Sequence, residues 1–210
     1  MRYRNKTVLV GFATSALILS GCGLGGESNE VEDVKAGSVD PEALKGVEVN
    51  VGSKDFDEQL ILGQLTIAML SAAGADVGDE TNSQGSTQAR NKLINGGSDV
   101  YWDYNGTGWL VYLGHDTPIF DPQKQYEAVA KEDLAKNDLV WGQPAPFNNT
   151  YAFATTSEFA EENGIETHSD MADYLADNPD SSVCVESEFA SRPDGFPGFQ
   201  KAYGMDIPES

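Results

Sequence analysis

The sequence predicts an α/β fold built on a parallel sheet, and three observations predict it. Val47 to Val51 alternates apolar and polar residues, as a short strand does. Residues 57–73 are a mostly apolar helical stretch with Asp57 and Glu58 in its first turn and Gly74 beyond its end. Asp99 to Tyr104, rich in aromatics, reads as a further strand reached after a second helix. Strands alternating with helices imply right-handed crossovers within one parallel sheet.

The remaining elements follow in order. Gly52-Ser53 turns the chain between the first strand and its helix. Ser86 or Thr87 is suited to cap the second helix, which runs through Asn95 and is closed by Gly96-Gly97. Asp121-Pro122 opens a third helix from about Gln123 to Lys136. Leu139 to Trp141 and Tyr151 to Thr155 are candidate strands on either side of the Pro- and Asn-rich link PAPFNNT. That link is the expected boundary between a first lobe, 47–145, and a second lobe, 146–210. A helix over Ser169 to Asn178, a strand over Ser182 to Glu186 and a short helix near Gly198 to Tyr203 complete the expectation. Cys184, between Val183 and Val185, reads as a small buried strand residue.

Composition removes several functions. With 34 acidic against 13 basic side chains the net charge is −21, the wrong sign for nucleic acid or for electrostatic docking on anionic lipid. Two histidines and two cysteines leave little for a metal site or a Cys/His nucleophile. His115 and His168 lack ligand-like spacing, and neither GxSxG nor HExxH occurs, so no enzyme, metal or cofactor is expected.

The N-terminus reads as an address. Arg2, Arg4 and Lys6 precede an uncharged stretch from Val8 to Leu19, then Ser20, Gly21 and Cys22. A basic start, a short apolar run and small residues at the exit describe an export signal over residues 1–21, too short to span a bilayer. Leu19-Ser20-Gly21-Cys22 resembles a bacterial lipobox, which implies lipid on Cys22 and a domain held at the membrane without crossing it. Residues 22–46 are Gly-, Ser- and acid-rich with few bulky apolar groups, and read as a mobile tether.

Ligands of open α/β sheets sit at the carboxyl ends of strands. Ser53-Lys54 and the turn Asn105-Gly106-Thr107-Gly108 fall there, and Tyr101, Trp102, Tyr104 and Trp109 crowd the same neighbourhood. The turn lacks the lysine of a phosphate loop but offers backbone N–H groups that suit a carboxylate. A quaternary ammonium has no N–H to donate and is held by the negative faces of aromatic rings. Burial in the core is the ordinary alternative for strand aromatics.

Five blocks occur in order: GSKDFDEQ from Gly52, GST from Gly85, DVYWDYNGT from Asp99, PAPFNNTYA from Pro144 and FASRPDG from Phe189. Together they resemble the glycine betaine/choline/carnitine/proline-betaine binding proteins of osmoprotectant ABC importers, from about Val47 onward. The resemblance implies a two-lobe, periplasmic-binding-protein-like (type II) α/β fold that closes on its ligand. It implies Tyr104 and Tyr151 as cage walls, Lys54 and Thr107 at a carboxylate, and Arg192 at the ligand or between the lobes. Asn105 stands where the family usually has threonine. The family continues past the position matching Ser210, so the second lobe and return crossover are expected to be incomplete. The partners implied are a small quaternary amine and an ABC permease at the extracytoplasmic face of a bacterial membrane. An amino-acid or polyamine receptor and a surface adhesion lipoprotein are the alternatives.

Overall fold

The computed structural model describes residues 37–205 and 207, so the export signal, Cys22 and the first part of the tether lie outside the described residues. Strand β1 (Glu48–Lys54) pairs in parallel with β2 (Asp76–Ser83), in register from Glu48↔Asp76 to Gly52↔Glu80. A shift between Gly52 and Lys54 interrupts the ladder. Opposite it Asn82 takes a φ of 64° and donates its N–H to Ser53 Oγ at 2.9 Å. Helix α1 (Asp57–Ala72) makes the crossover a parallel pair requires. Gly74, at φ +91°, stops it where the Pro41 carbonyl lies against its α-carbon, leaving no room for a side chain.

β2 was not foreseen. Its sequence, DVGDETNS, is acidic and poor in strand-forming residues, and pairing with β1 overrides that weak local preference. Conversely, the strand expected over Asp99–Tyr104 is one parallel bridge, Val51↔Val100, with the Gly52 N–H donating to the Val100 carbonyl at 2.8 Å. β1 is therefore the central segment, and Val51 at its middle is fully buried. Past Val100 the chain leaves the ladder, releasing its aromatic residues from sheet geometry.

Helix α2 (Gly85–Ile94) begins two or three residues earlier than expected, with Gln84 at the N-cap position and no side-chain cap bond; Ser86 is instead buried. Helix α3 (Asn105–Thr107) runs straight into a π-helical turn over Gly108–Tyr112. A Cβ on Gly108 would stand 2.8 Å from the Trp141 ring and 2.9 Å from Val129, so only glycine permits that approach. Helix α4 (Pro122–Asn137) matches expectation: Asp121 Oδ1 accepts from the Lys124 N–H at 3.0 Å, and Pro122 opens the first turn. α2 and α4 are joined by a buried pair, Arg90 with Asp133, in which Nη1 lies 2.8 Å from Oδ2. Trp141 Nε1 and Asn137 Nδ2 also donate to that carboxylate, at 2.6 and 2.7 Å.

The C-terminal portion is helical and irregular: α5 (Ser157–Asn163), α6 (His168–Asp177), α7 (Ser187–Ser191) and α8 (Phe196–Tyr203). The strands expected over 139–141, 151–155 and 182–186 are not formed, because no strand lies beside them among the described residues to complete a ladder. Cys184 is accordingly exposed, not buried in a sheet. The end of the expected tether is also more ordered than its composition suggests. A turn over residues 40–45 docks on the end of α1, where the Leu44 N–H satisfies the Ala73 carbonyl at 2.8 Å. No helix among the described residues is long and apolar enough to cross a membrane.

Candidate functional site

The end of β1, the start of α1, the segment after Val100, the Pro- and Asn-rich link and the C-terminal helices line a cleft of about 1790 Å³. Lys54, Tyr104, Thr107, Tyr151 and Arg192 all line it. Each is delivered by a different feature of the backbone. Lys54 ends β1, Tyr104 precedes α3, Thr107 closes α3, Tyr151 follows the Pro- and Asn-rich link, and Arg192 caps the end of α7.

Lys54 is 1% exposed, and its ammonium lies 2.9 Å from Asp103 Oδ1 and 4.8 Å from the centroid of the Tyr104 ring. Its charge is thus already matched inside the protein. Tyr104 donates its hydroxyl to Glu58 Oε1 at 2.7 Å and accepts from Gln59 Nε2 at 3.1 Å, while Phe56 stacks on it at 6.1 Å. Burial, then the hydrogen bond and charge of Glu58, push its phenol pKa well up, so the hydroxyl remains a donor at neutral pH. Glu58 also accepts two bonds from Asn149 Nδ2, at 2.8 and 2.9 Å, tying the link to the start of α1.

Arg192 Nη1 donates to Thr107 Oγ1 at 3.0 Å and to Glu188 Oε1 at 3.1 Å, and its Nη2 lies 2.6 Å from Asp194. Burial alone would lower its pKa, but hydrogen bonds and charge from Asp194, aided by Tyr151 and Glu188, raise it instead. Tyr151 is half-exposed and packs on Phe189 at 4.6 Å, with the Arg192 guanidinium 5.9 Å from its ring centroid. Burial and the charge of Glu188 raise its pKa against the opposing charge of Arg192. Glu188 accepts from Ser86 Oγ at the start of α2, and its other oxygen, Oε2, is buried without a donor among the described residues.

The neighbouring aromatics have other uses. Tyr101 donates to Asp103, and Trp102 and Trp109 donate to Thr66 Oγ1 and the Thr117 carbonyl, both at 2.9 Å or less. His115, in irregular chain after the π-helical turn, stacks on Trp109 and pairs with Glu132, while His168, at the start of α6, packs against Phe153, Phe199 and Tyr203. No cluster of potential metal ligands exists among the described residues. Sequence reasoning missed Glu58, Asp103, Asn149 and Glu188. The first three lie inside the quoted blocks, but in a chain with 34 acids single carboxylates carry little signal.

An α/β chain with a broad cleft, aromatic walls and internally paired charges has the makings of a binding protein. Residues 47–210 match the family model described as the substrate binding domain of ABC-type glycine betaine transport systems, and the chain belongs to that family. It is 37% identical over 163 residues to a glycine-betaine-binding protein of Pseudomonas aeruginosa, covering 75% of this chain and 51% of that protein. It is 31% identical over 160 residues to the glycine betaine-binding protein YehZ of Escherichia coli, covering 76% and 52%. The solved structure of ligand-free YehZ superposes with a TM-score of 0.51 at 30% identity, over 77% of this chain and 58% of that one. A crystal structure described as a glycine betaine/carnitine/choline ABC transporter gives 0.52 at 30% identity, over 76% and 58%. The chain therefore spans about half the length of the relatives it matches. Those relatives are transport binding proteins rather than enzymes, and the α/β fold is theirs over the matched portion.

Proposed function

We propose that this chain captures a quaternary-ammonium solute outside the cytoplasmic membrane and delivers it to an ABC permease. The electron-rich faces of Tyr104 and Tyr151 wall the methylated nitrogen, and Lys54, Thr107 and Arg192 bound the polar end of the ligand. The observation that carries this reading is that all five residues line one cleft although they come from stretches 138 residues apart in numbering, from Lys54 to Arg192. Closure of lobe 47–145 on lobe 146–210 about the PAPFNNT link brings rings onto opposite sides of the ligand. Each desolvated cation–π contact is worth about 2 kcal/mol, and no covalent chemistry is needed. Relatives named for glycine betaine support the ligand class. Lipid on Cys22 holds the domain at the outer face of the membrane, and a Cys22→Ser variant appears in the soluble extracytoplasmic fraction instead of the membrane pellet.

Calorimetric titration with glycine betaine, choline and proline tests the reading. Heat with a quaternary amine and none with proline is expected. Heat with proline alone moves the chain to the amino-acid receptors, and none with any of them favours an adhesion role.

A further inference from the structure

Resting on the quaternary-amine reading above, we infer that the cleft selects a ligand of net positive charge, of the choline type, over a zwitterion bearing a carboxylate, and that Glu58 sets this preference. The argument is one of charges already spent. Among the described residues, every lysine and arginine lining the cleft faces a carboxylate of the protein: Lys54 faces Asp103 at 2.9 Å, Arg90 faces Asp133, and Arg192 lies between Glu188 at 3.1 Å and Asp194 at 2.6 Å. Thr107 accepts from the Arg192 guanidinium at 3.0 Å and keeps its own O–H to donate to a ligand oxygen, hydroxyl or carboxylate alike. Among the described residues a ligand carboxylate therefore meets no cation without a carboxylate partner, and taking Lys54 or Arg192 would leave a buried acid without its ion pair.

The acids are not spent in the same way. Glu58 accepts only from neutral donors, the Tyr104 hydroxyl and the Asn149 amide, and forms no ion pair among the described residues. The side chain of Glu188 is 9% exposed, and its Oε2 has no donor among the described residues. A ligand carrying an ammonium and a hydroxyl supplies what these groups lack, since a hydroxyl donates where a carboxylate only accepts. Glu58 acts on the cation directly by charge and also through Tyr104, whose donated hydroxyl leaves the ring face richer in electrons.

The test titrates the full chain with choline, glycine betaine and 3,3-dimethylbutan-1-ol, the uncharged carbon isostere of choline. Choline binds most tightly, and Glu58→Gln, which keeps an acceptor but removes the charge, weakens choline about tenfold. The same variant weakens glycine betaine less, because that ligand's own carboxylate is repelled by Glu58, and leaves the neutral alcohol within about twofold, which also reports that it is folded. Glycine betaine binding as tightly as choline to the unaltered chain overturns the inference while leaving the proposed function standing. So does an equal loss of all three ligands in the variant, which would make Glu58 merely structural. Absence of binding to either amine removes the proposed function and this preference with it.

Discussion

The two ends of the described chain are held together by different forces. From β1 to α4 the protein relies on a backbone ladder and on buried charge: Val51 and Val129 are fully buried, and Lys54, Arg90 and Asp133 are buried as partners. From Tyr151 onward there is no ladder among the described residues, and Ala172 and Phe196 are the buried apolar side chains. Cohesion there comes from ring packing, with Phe153 edge-on to His168 and Phe189 and tilted against Phe196 and Phe199, at 4.5 to 6.4 Å. One wall built on a ladder and buried ion pairs and another built on ring packing lead to the expectation of one stiff wall and one compliant wall. The stiff wall carries Lys54, Tyr104 and Thr107, and the compliant wall carries Tyr151 and Arg192. That suits a ligand-driven closure, in which the less constrained wall moves.

The sharpest way to break this comparison is at the buried pair. Asp133→Asn leaves Arg90 charged in a dry site and turns one of the two acceptor oxygens, shared by Arg90 with either Trp141 or Asn137, into an amide donor, so it costs about 3–5 kcal/mol in denaturant unfolding. A loss under 1 kcal/mol would show that the stiff wall does not depend on charge. The pair has a pH signature as well. Burial opposes ionisation of Asp133, but hydrogen bonds from Arg90, Trp141 and Asn137 outweigh it and depress its pKa. A depressed carboxyl contributes stability that is complete above its unfolded value, about 3.9, and lost as pH falls through the lower folded value. The unaltered chain therefore loses stability below about pH 4, and Asp133→Asn loses less over the same window.

A smaller effect sharpens the other side. Phe153→Ala removes the ring around which the aromatic group gathers and costs about 1–2 kcal/mol. Amide hydrogen exchange then quickens in α6 and α8 while β1 and α2 keep their protection; equal quickening in both would mean that the walls unfold as one. Smaller again, Thr167→Ala deletes the hydroxyl that accepts from the Asp170 N–H at the start of α6, leaving the bond from the residue 167 N–H to Asp170, and costs about 1 kcal/mol, with faster exchange confined to that helix.

What could be read in advance follows the same division. β1, α1, α4, α6 and α8 were legible because their signals are local: apolar alternation, Asp121-Pro122 at one start and Gly74 at one end. β2 was not, since its acidic residues become a strand only by lying beside β1. The three C-terminal segments failed in the opposite sense, having strand-like composition but no ladder partner. α5 and α7 are too short to show periodicity, and only the caps at Thr156 and Glu186 announce them. For the site, the residue types in the five blocks pointed to one cleft, yet not to the carboxylates that occupy Lys54 and Arg192. Those pairings, Asp103 with Lys54 and Glu188 with Arg192, are set by how loops meet in three dimensions.

The smallest expected effect is chemical rather than energetic. Cys184 lies in one of the segments that strand composition had promised to a sheet, and a thiol there would be shielded by neighbouring strands. It is exposed instead, in irregular chain between α6 and α7. In a Cys22→Ser background, where Cys184 is the one remaining thiol, a water-soluble maleimide should label it completely without denaturant and leave the unfolding midpoint unchanged. Labelling that requires denaturant would mean that residues 182–186 are covered after all. The compliant wall would then contain a ladder, and the contrast between the two sides of the cleft would shrink to the aromatic packing alone.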